Sequence, residues 1–545
     1  MNKVAHYLQE HLVGEVMTGA DARRYFANDA SIFSVPPAII VYPRNENDVR
    51  KTARFTWQLA ERGRMIPITC RGSGTDLGGA AIGPGIILSF PAHLHRILEF
   101  DGKSGLVTVE AGINYGKLQQ TLHTHNRFLP PYPASMEYST IGGAVGNNAG
   151  GEKTIKYGST KEFVKSLRVV LANGEVIESR RLSKRELNKK LGLATFEGEI
   201  YRNLDTLIEE NKTVIESLKR NTTKNTAGYN LADVRRKDGS FDITPLIVGA
   251  QGTLGIVTEV TLSTEPHNPN ATLIAALIDN IEVAEEVIKE LNKLSSRPSS
   301  IEMVDSHLLD YVYSVNPNQL KDVLTKPYPK TVLLIEFDDI SDRTQKRMSK
   351  KVVKLLNKLQ VSYRLETDLH KREELWKIRH SVATLVSQSE GKNRALPFID
   401  DGVVPVDKFK EYLEGIYKIF ANYKLPVGVW GHAGDGNLQI QPLLDIGELG
   451  NRQLIFKLMD DYYKLVISLG GSTSGEHNDG RLRAIYLEEL YGADGYTLLT
   501  KVKHIFDPYG TLNVGVKTGV DKNELKSIMR QEYSLDHLYQ HMPRV

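Results

Sequence analysis

The chain has 545 residues, 41% hydrophobic and 25% charged, a composition typical of a soluble globular protein with more than one domain. Its net charge of +3 shows no large basic excess, so we expect no nucleic-acid partner. The single cysteine, Cys70, excludes an intramolecular disulfide and a cysteine-ligated iron–sulfur cluster within the chain.

Targeting and membrane signals are missing from the sequence pattern. Residues 1–16 carry charges without a signal-peptide apolar stretch, and no run of about 18 apolar residues occurs anywhere. We therefore expect a cytoplasmic protein with no transmembrane segment. Peripheral membrane contact, a homodimer and a place in a larger complex all stay open.

The first half alternates short strands with helices. Residues 1–35 are predicted to form a helical arm, followed by a strand at 38–42, a helix capped by Asn45 and a strand at 65–69. Further strands are predicted at 86–90 and 106–111, and a hairpin with an Asn173-Gly174 turn at 163–180. The segment 130–160 has little periodicity and is predicted to be a long functional loop. Residues 181–245 have a lysine-rich, mostly helical pattern, and strand character returns at 245–260.

The second half has a different pattern of predicted strands and helices. Strands are predicted at 273–278, 331–337 and 398–405, and helices at 284–294, 341–358, 371–389 and 407–421. This mixture predicts an α+β domain whose sheet is covered on one side.

Two glycine-rich segments of the first half indicate close approach of the backbone to a ligand. The strand at 65–69 leads into Arg71-Gly72-Ser73-Gly74-Thr75, where positive φ and bare N–H groups suit a pyrophosphate. The segment 140–158 is dense in glycine and asparagine, as expected for backbone laid against a flat ring. The G-x-G-x-x-G fingerprint and its βαβ unit are missing, which disfavours a nicotinamide-binding Rossmann fold.

The order and spacing of these motifs resemble the vanillyl-alcohol-oxidase/p-cresol-methylhydroxylase superfamily. Within it, the likeness is greatest to FAD-linked D-lactate dehydrogenases, D-2-hydroxyglutarate dehydrogenases and the glycolate oxidase D subunit. It is carried by Pro36-Pro37-Ala38, the loop from Arg71 to Thr75, Thr140-Ile141-Gly142-Gly143, Asn148-Ala149-Gly150-Gly151, Tyr157-Gly158 and Gly252-Thr253-Leu254-Gly255.

The resemblance implies an α+β fold with a two-subdomain PCMH-type FAD-binding domain and an α+β cap, or substrate, domain with an antiparallel sheet. The expected division is an N-terminal arm at 1–35, the FAD-binding domain at 36–265, the cap at 266–470 and a C-terminal segment at 471–545 that returns to the flavin.

The resemblance also implies the FAD contacts. Some members attach FAD through a histidine beside the first loop, but Thr69 and Cys70 stand there, so we expect non-covalent FAD. The implied contacts are Arg71, Gly72, Ser73, Gly74 and Thr75 at the pyrophosphate, Thr140, Gly142, Gly143, Asn148, Ala149 and Gly150 in the isoalloxazine and ribityl loop, Ile256 and Val257 near the adenine, and Asn513 in the closing motif.

Two histidine-bearing turns in the second half, at 430–439 and 474–480, resemble the catalytic motifs of the 2-hydroxy-acid branch. The resemblance implies His432, Gln439 and Glu476 as ligands of a divalent zinc or manganese ion, with Asn437 and His477 as catalytic residues. Gln439 replaces the second histidine of the family motif, and an amide oxygen holds zinc less firmly than an imidazole does.

These residues together predict FAD-dependent oxidation of a small 2-hydroxy acid, of the D-lactate, glycolate or D-2-hydroxy-acid type, to the 2-oxo acid. His477 is suited to take the hydroxyl proton at neutral pH, and FAD N5 accepts the hydride. Arg379, in a family Leu-Trp-x-x-Arg motif, is the expected clamp for the substrate carboxylate. The electron acceptor is left undefined.

Two other interpretations stay open. The chain could be a flavin transferase like alkyl-dihydroxyacetone-phosphate synthase, which shares the fold without net redox chemistry. It could also be a non-catalytic flavin-binding subunit, an interpretation that Gln439 favours.

Overall fold

The computed structural model describes residues 2–387 and 392–539. These residues fold around three main β-sheets, two formed by the first half of the chain and one by the second. The predicted mixed α+β fold is confirmed. None of the helices in the described ranges combines the length and the hydropathy needed to cross a bilayer.

The first sheet carries the loop that begins at Arg71. Three parallel strands form its body, and a short antiparallel strand extends one edge. That edge strand lies inside residues 1–35, so the segment is not only helical as predicted. The strand order is Glu15–Met17, Ile39–Tyr42, Ile86–Ser89 and Ile68–Arg71.

The second sheet is antiparallel and has a hairpin at one edge. The hairpin turns at Gly174, whose φ of +84° requires glycine, and its position was predicted correctly. The central strand Ile256–Ser263 buries every second residue. The strand order is Ile97–Asp101, Leu106–Glu110, Ile256–Ser263, Val164–Val170 and Val176–Ser179.

The helices of the first half include two in the region 130–160, which was predicted to be one long loop, and a third that begins at its last residue. Thr140 caps the first of these by accepting a hydrogen bond from the Gly143 amide. The helix was not predicted, because its glycines interrupt the apolar periodicity by which a helix is recognised in a sequence. The helices are Asn2–His11, Ala20–Tyr25, Glu46–Glu61, Tyr115–His123, Ile141–Asn147, Thr154–Tyr157, Thr160–Phe163, Lys184–Leu191, Phe196–Glu210, Lys212–Ser217 and Thr244–Ile247.

The third sheet is antiparallel throughout, as expected for the cap. Its strand Thr331–Phe337 is buried at every position, because helices cover both faces. The prediction of a sheet covered on one side was therefore wrong. The strand order is Ser362–Glu366, Thr272–Ile278, Thr331–Phe337, Ser300–Asp305, Val429–His432 and Asn437–Ile440.

The helices of the second half agree with the predictions more closely than its strands do. The segment 398–405 contains no strand; its Val403 instead forms isolated β-bridges to Asn437 and Ser472. The predicted helix at 371–389 is two helices, and its last two residues lie outside the described part of the chain. The helices are Ile281–Asn292, Ser306–Val315, Asp342–Lys358, Leu369–His380, Val382–Ser387, Phe409–Tyr423 and Leu449–Ser468.

The C-terminal segment returns to the first half of the chain. The helix Leu487–Phe506 buries its apolar side chains in the core beneath the second sheet. Leu512 then pairs with Ile68, next to the loop that begins at Arg71. The last described helices are Lys522–Ser527 and Asp536–Tyr539.

Candidate active site

A cavity of about 310 Å³ is lined by residues from both halves of the chain. Its walls are the loop after the strand Ile68–Arg71, the helix Ile141–Asn147 with the loop before it, and residues 247–257. The second half contributes Glu476 and His477, and the C-terminal segment contributes Leu535 and Leu538. The two glycine-rich segments singled out in the sequence therefore meet at one site.

Arg71 provides a buried cation at this cavity. The residue is only 2% exposed, and one terminal nitrogen donates to the Ala81 carbonyl, 3.2 Å away. The other, Nη2, is buried without a hydrogen-bond partner in the described structure. It packs against Gly74, where an added Cβ would lie 2.3 Å from it. A buried, unpaired guanidinium nitrogen is costly by itself, and an anionic group such as a diphosphate would satisfy it.

Close packing of the two loops shapes the same wall. A Cβ at Gly72 would lie 2.3 Å from Thr140 Oγ1, nearer than real atoms approach, so glycine is required there. Asp76 joins the loops, because Asn147 donates to one of its oxygens at 3.0 Å and the Ala80 amide to the other at 2.7 Å. Gln251 extends this network by donating to Asn147 at 2.9 Å. Asp76, Asn147 and Gln251 line the cavity and were not predicted from the sequence, although Asp76 directly follows the first loop.

Most of the predicted FAD contacts line the cavity, and three do not. The Asn148 side chain accepts from Ser159 and Lys161 and is thus occupied, while Ile256 lies fully inside the core. Asn513 donates to the carbonyls of Ala80 and Gln251, so it joins two walls without facing the space between them. The predicted residues that do line it are Arg71, Gly72, Ser73, Gly74, Thr75, Thr140, Gly142, Gly143, Ala149, Gly150 and Val257.

His477 is the one histidine among the described residues that line the cavity, and its side chain is 25% exposed. Its Nδ1 lies 3.1 Å from a carboxylate oxygen of the fully buried Asp400. Burial lowers the pKa of His477, but the Asp401 and Asp400 carboxylates outweigh burial and raise it to about 9. At neutral pH the ring is therefore mostly protonated, a state that its ordinary pKa would not have suggested.

Asp401 fixes the turn that carries Glu476 and His477. Its carboxylate accepts hydrogen bonds from the amides of both residues, from Ser474 Oγ and from Asn437 Nδ2. Asn437 is fully buried, lies outside the cavity lining and also donates to backbone carbonyls. The predicted catalytic residue Asn437 thus sits where it positions this turn.

Behind His477 runs a chain of buried charges that we call the ion-pair chain. Arg379 Nε donates to Glu302 at 2.7 Å, and the other Glu302 oxygen lies 2.7 Å from His432 Nδ1. His432 Nε2 lies 3.0 Å from Glu476 Oε1, and Lys224 Nζ lies 3.0 Å from Glu476 Oε2. Opposite charges alternate along these five side chains, which compensates for their removal from water.

The pKa values along the ion-pair chain agree with this alternation. Burial would raise the pKa of Glu302, but His432 and Arg379 bring it down to about 2. Burial would lower the pKa of His432, but Glu302 and Glu476 raise it to about 9. The pKa of Glu476 is likewise held well below its usual range by His432 and Lys224, against the effect of burial.

Comparison with known proteins shows which family the chain belongs to. The family described as "FAD binding domain" matches residues 37–180, and "FAD linked oxidases, C-terminal domain" matches residues 267–516. The chain belongs to the FAD-linked oxidase family. Membership confirms the resemblance found in the sequence and the predicted FAD cofactor. The unpaired Arg71 nitrogen and the closely packed glycine loops fit such a dinucleotide.

Relatives within this family include both long and short proteins. The chain is 27% identical to D-2-hydroxyglutarate dehydrogenase of Pantoea ananatis, in an alignment that covers 92% of the chain and 50% of that protein. It is 28% identical to glycolate oxidase subunit GlcD of Bacillus subtilis, covering 88% of the chain and 89% of that protein. The chain thus spans about half the length of the D-2-hydroxyglutarate dehydrogenases that it matches.

A solved structure supports the fold. Substrate-bound p-cresol methylhydroxylase superposes with a TM-score of 0.69 at 14% identity, covering 96% of the chain and 97% of that protein. The predicted PCMH-type architecture is confirmed. Identity this low establishes the fold alone.

Proposed function

We propose that the chain oxidises a small 2-hydroxy acid to the 2-oxo acid, with FAD held non-covalently in the cavity. FAD, when bound, supplies the hydride acceptor for such a reaction. The observation that carries the proposal is that His477 lines the cavity and interacts with the carboxylates of Asp400 and Asp401. The names of the relatives, D-2-hydroxyglutarate dehydrogenase and glycolate oxidase subunit, support the substrate class.

Non-covalent attachment is supported by the residues beside the first loop. Cys70 is the one nucleophilic candidate next to Arg71 in that wall, and burial raises the pKa of its thiol to about 12. A thiol is a poor nucleophile until it is deprotonated, so Cys70 is unsuited to a flavin bond.

In this proposal His477 takes the proton from the substrate hydroxyl. Its ring can do so only in the neutral form, which becomes the major form above a pH of about 9. Asp400 and Asp401 orient the ring and stabilise the cation that forms after proton transfer. The turn fixed by Asp401 keeps the imidazole at the cavity wall.

Arg379 is proposed to bind the substrate carboxylate. Only its Nε is used within the described structure, for Glu302, and the side chain remains 13% exposed. Its two terminal nitrogens are free in that description to form a bidentate pair with a carboxylate. Arg379 lies outside the cavity lining. The proposed contact with the substrate carboxylate is therefore at the Arg379 end of the ion-pair chain, the end opposite Lys224.

Replacing Arg379 by lysine should raise the apparent KM roughly tenfold or more and leave kcat largely unchanged. Lysine keeps the charge beside Glu302 but loses the planar fork that pairs with a carboxylate. Steady-state kinetics of Arg379→Lys checks this, with Arg372→Lys on the same helix as a matched control. An unchanged KM would remove Arg379 from the substrate site.

The residues present do not fit a divalent metal bound by His432, Gln439 and Glu476. Both ring nitrogens of His432 face carboxylate oxygens, and Gln439 donates its amide N–H to Glu476 at 3.2 Å. Another grouping, Asp401, Glu476 and His477, brings potential ligand atoms within 4.8 Å of one another. The Asp401 oxygens, however, already accept the backbone amides of the other two residues. We therefore derive no step from a metal.

Anaerobic mixing of the purified flavoprotein with D- and L-2-hydroxy acids tests the proposed function directly. We expect loss of the oxidised-flavin absorbance with at least one of them and formation of the matching 2-oxo acid. An oxidised flavin with every acid in the panel would contradict the proposal and favour a non-catalytic flavin-binding subunit.

A further inference from the structure

A lysine pairs with Glu476, the carboxylate that the family resemblance assigns to a metal ion. Lys224 is on the irregular segment after the helix Lys212–Ser217, and its side chain is only 1% exposed. Besides Glu476 Oε2 at 3.0 Å, its Nζ lies 3.5 Å from Asp435 Oδ2, 3.4 Å from the Gly151 carbonyl and 3.5 Å from Asn437 Oδ1. Four oxygens from three separate segments thus surround one ammonium group, since Asp435 and Asn437 belong to the same turn.

The neighbouring side chains are arranged as partners of a cation that belongs to the protein. Glu476 receives three donors, since Lys224 takes one oxygen while His432 and Gln439 share the other. A metal ligand needs a free lone pair, and His432 has none when both of its nitrogens donate to carboxylates. Gln439 presents its donor group to Glu476, whereas a metal would require the amide oxygen.

A divalent metal ion and the Lys224 ammonium group exclude each other at Glu476, because both are positively charged. A divalent ion on the Glu476 carboxylate would lie next to the Lys224 ammonium, and like charges at such distances repel strongly in a buried site. The replacement of a family histidine by Gln439 and the presence of Lys224 therefore agree with each other. Gln439 weakens metal binding, and Lys224 supplies the positive charge that Glu476 then requires.

We propose that Lys224 replaces the divalent cation at Glu476, so that this chain works without a bound metal. Lys224 is a positioning residue, because it acts on Glu476 and through Glu476 on the turn that carries His477. A single fixed charge polarises a substrate hydroxyl less than a divalent metal would. Proton removal then depends more heavily on His477 and its two aspartates. This last consequence rests on the proposed function, whereas metal content does not.

Elemental analysis of the wild-type holoenzyme is the primary test. We expect substoichiometric zinc, manganese, iron, cobalt and nickel after purification, and flavin reduction by the substrate that is unaffected by dialysis against a chelator. One tightly held metal per chain, or a rate that falls on chelation and recovers with metal, would overturn the proposal. If no 2-hydroxy acid reduces the flavin, the metal content still decides this inference separately from the proposed function.

The double variant Lys224→Ala, Gln439→His tests the replacement in the opposite direction. It removes the resident ammonium and restores an imidazole, so it should bind about one equivalent of Zn²⁺ or Mn²⁺ and unfold at a higher temperature when the metal is added. Flavin reduction should be slow without metal and faster with it, a rescue that a purely structural lysine would not show.

Lys503→Met is the matched control, because Lys503 also forms a largely buried pair, with Asp507 at 2.6 Å, outside the ion-pair chain. Its unfolding temperature should not respond to either metal if the proposal holds. A metal effect equal in the double variant and in this control would overturn the assignment of Lys224, as would a folded double variant that binds no metal.

Discussion

His477→Ala is expected to slow reduction of the bound flavin by a 2-hydroxy acid by roughly 10²–10⁴-fold, the usual contribution of a general base. FAD should stay bound, because His477 contributes one side chain to a cavity whose main contacts are the two glycine-rich loops. Rapid mixing at saturating substrate measures the step directly. His504→Ala, which changes an exposed histidine outside the cavity, serves as the control.

The pH dependence distinguishes loss of a base from loss of structure. The pKa of His477 is raised to about 9, so below this pH the reactive neutral ring becomes scarcer. The wild-type rate should therefore rise about tenfold per pH unit from neutrality toward pH 9 and then level off. The His477→Ala rate should be nearly independent of pH over that range. A wild-type rate that falls as pH rises, or a variant as fast as wild type, would assign proton removal to another group.

Arg71→Met should weaken FAD binding by roughly 30- to 5,000-fold, corresponding to about 2–5 kcal/mol for one partner of a buried charged pair. The guanidinium is buried and has one nitrogen unpaired by the described protein, so an anionic group of the cofactor is its natural partner. Fluorescence titration of the apoprotein with FAD measures the change in Kd.

Arg372→Met is the matched control for this measurement. Arg372 is also buried and also has a nitrogen, Nε, without a partner in the described structure, but it lies on the cap helix Leu369–His380 away from the cavity lining. The control should lower thermal stability without changing the Kd for FAD. Equal losses of affinity in both variants would show that Arg71 acts through folding and not through the cofactor.

The cofactor loops were predictable because their chemistry is local. Gly72 and Gly74 lie in one short glycine-rich segment and Gly142 in another. Close approach of the backbone to a ligand explains why these segments contain so many glycines. The helix at Ile141–Asn147 was missed in the same segment, since glycine content removes the apolar spacing by which a helix is recognised.

The ion-pair chain could not be predicted, because its members come from distant segments. Lys224 and Glu476 are 252 residues apart, and Glu302 and His432 are 130 residues apart. In the sequence Lys224 is one lysine in a lysine-rich stretch, where a solvated surface charge is the ordinary expectation. Asp400 and Asp401 were placed in a predicted strand, although their carboxylates hold His477 and its turn.

The end of the described chain completes the cavity, with a consequence for how the protein is made. Leu535 and Leu538 line the wall, and His537 Nε2 lies 3.0 Å from the Gly74 carbonyl, 463 residues earlier. A ribosome that adds about 5–20 residues per second needs roughly 20–90 s to travel that distance. Through that interval the nascent cavity lacks this wall, so FAD has an open route to the glycine loops before Leu535 and Leu538 emerge and pack.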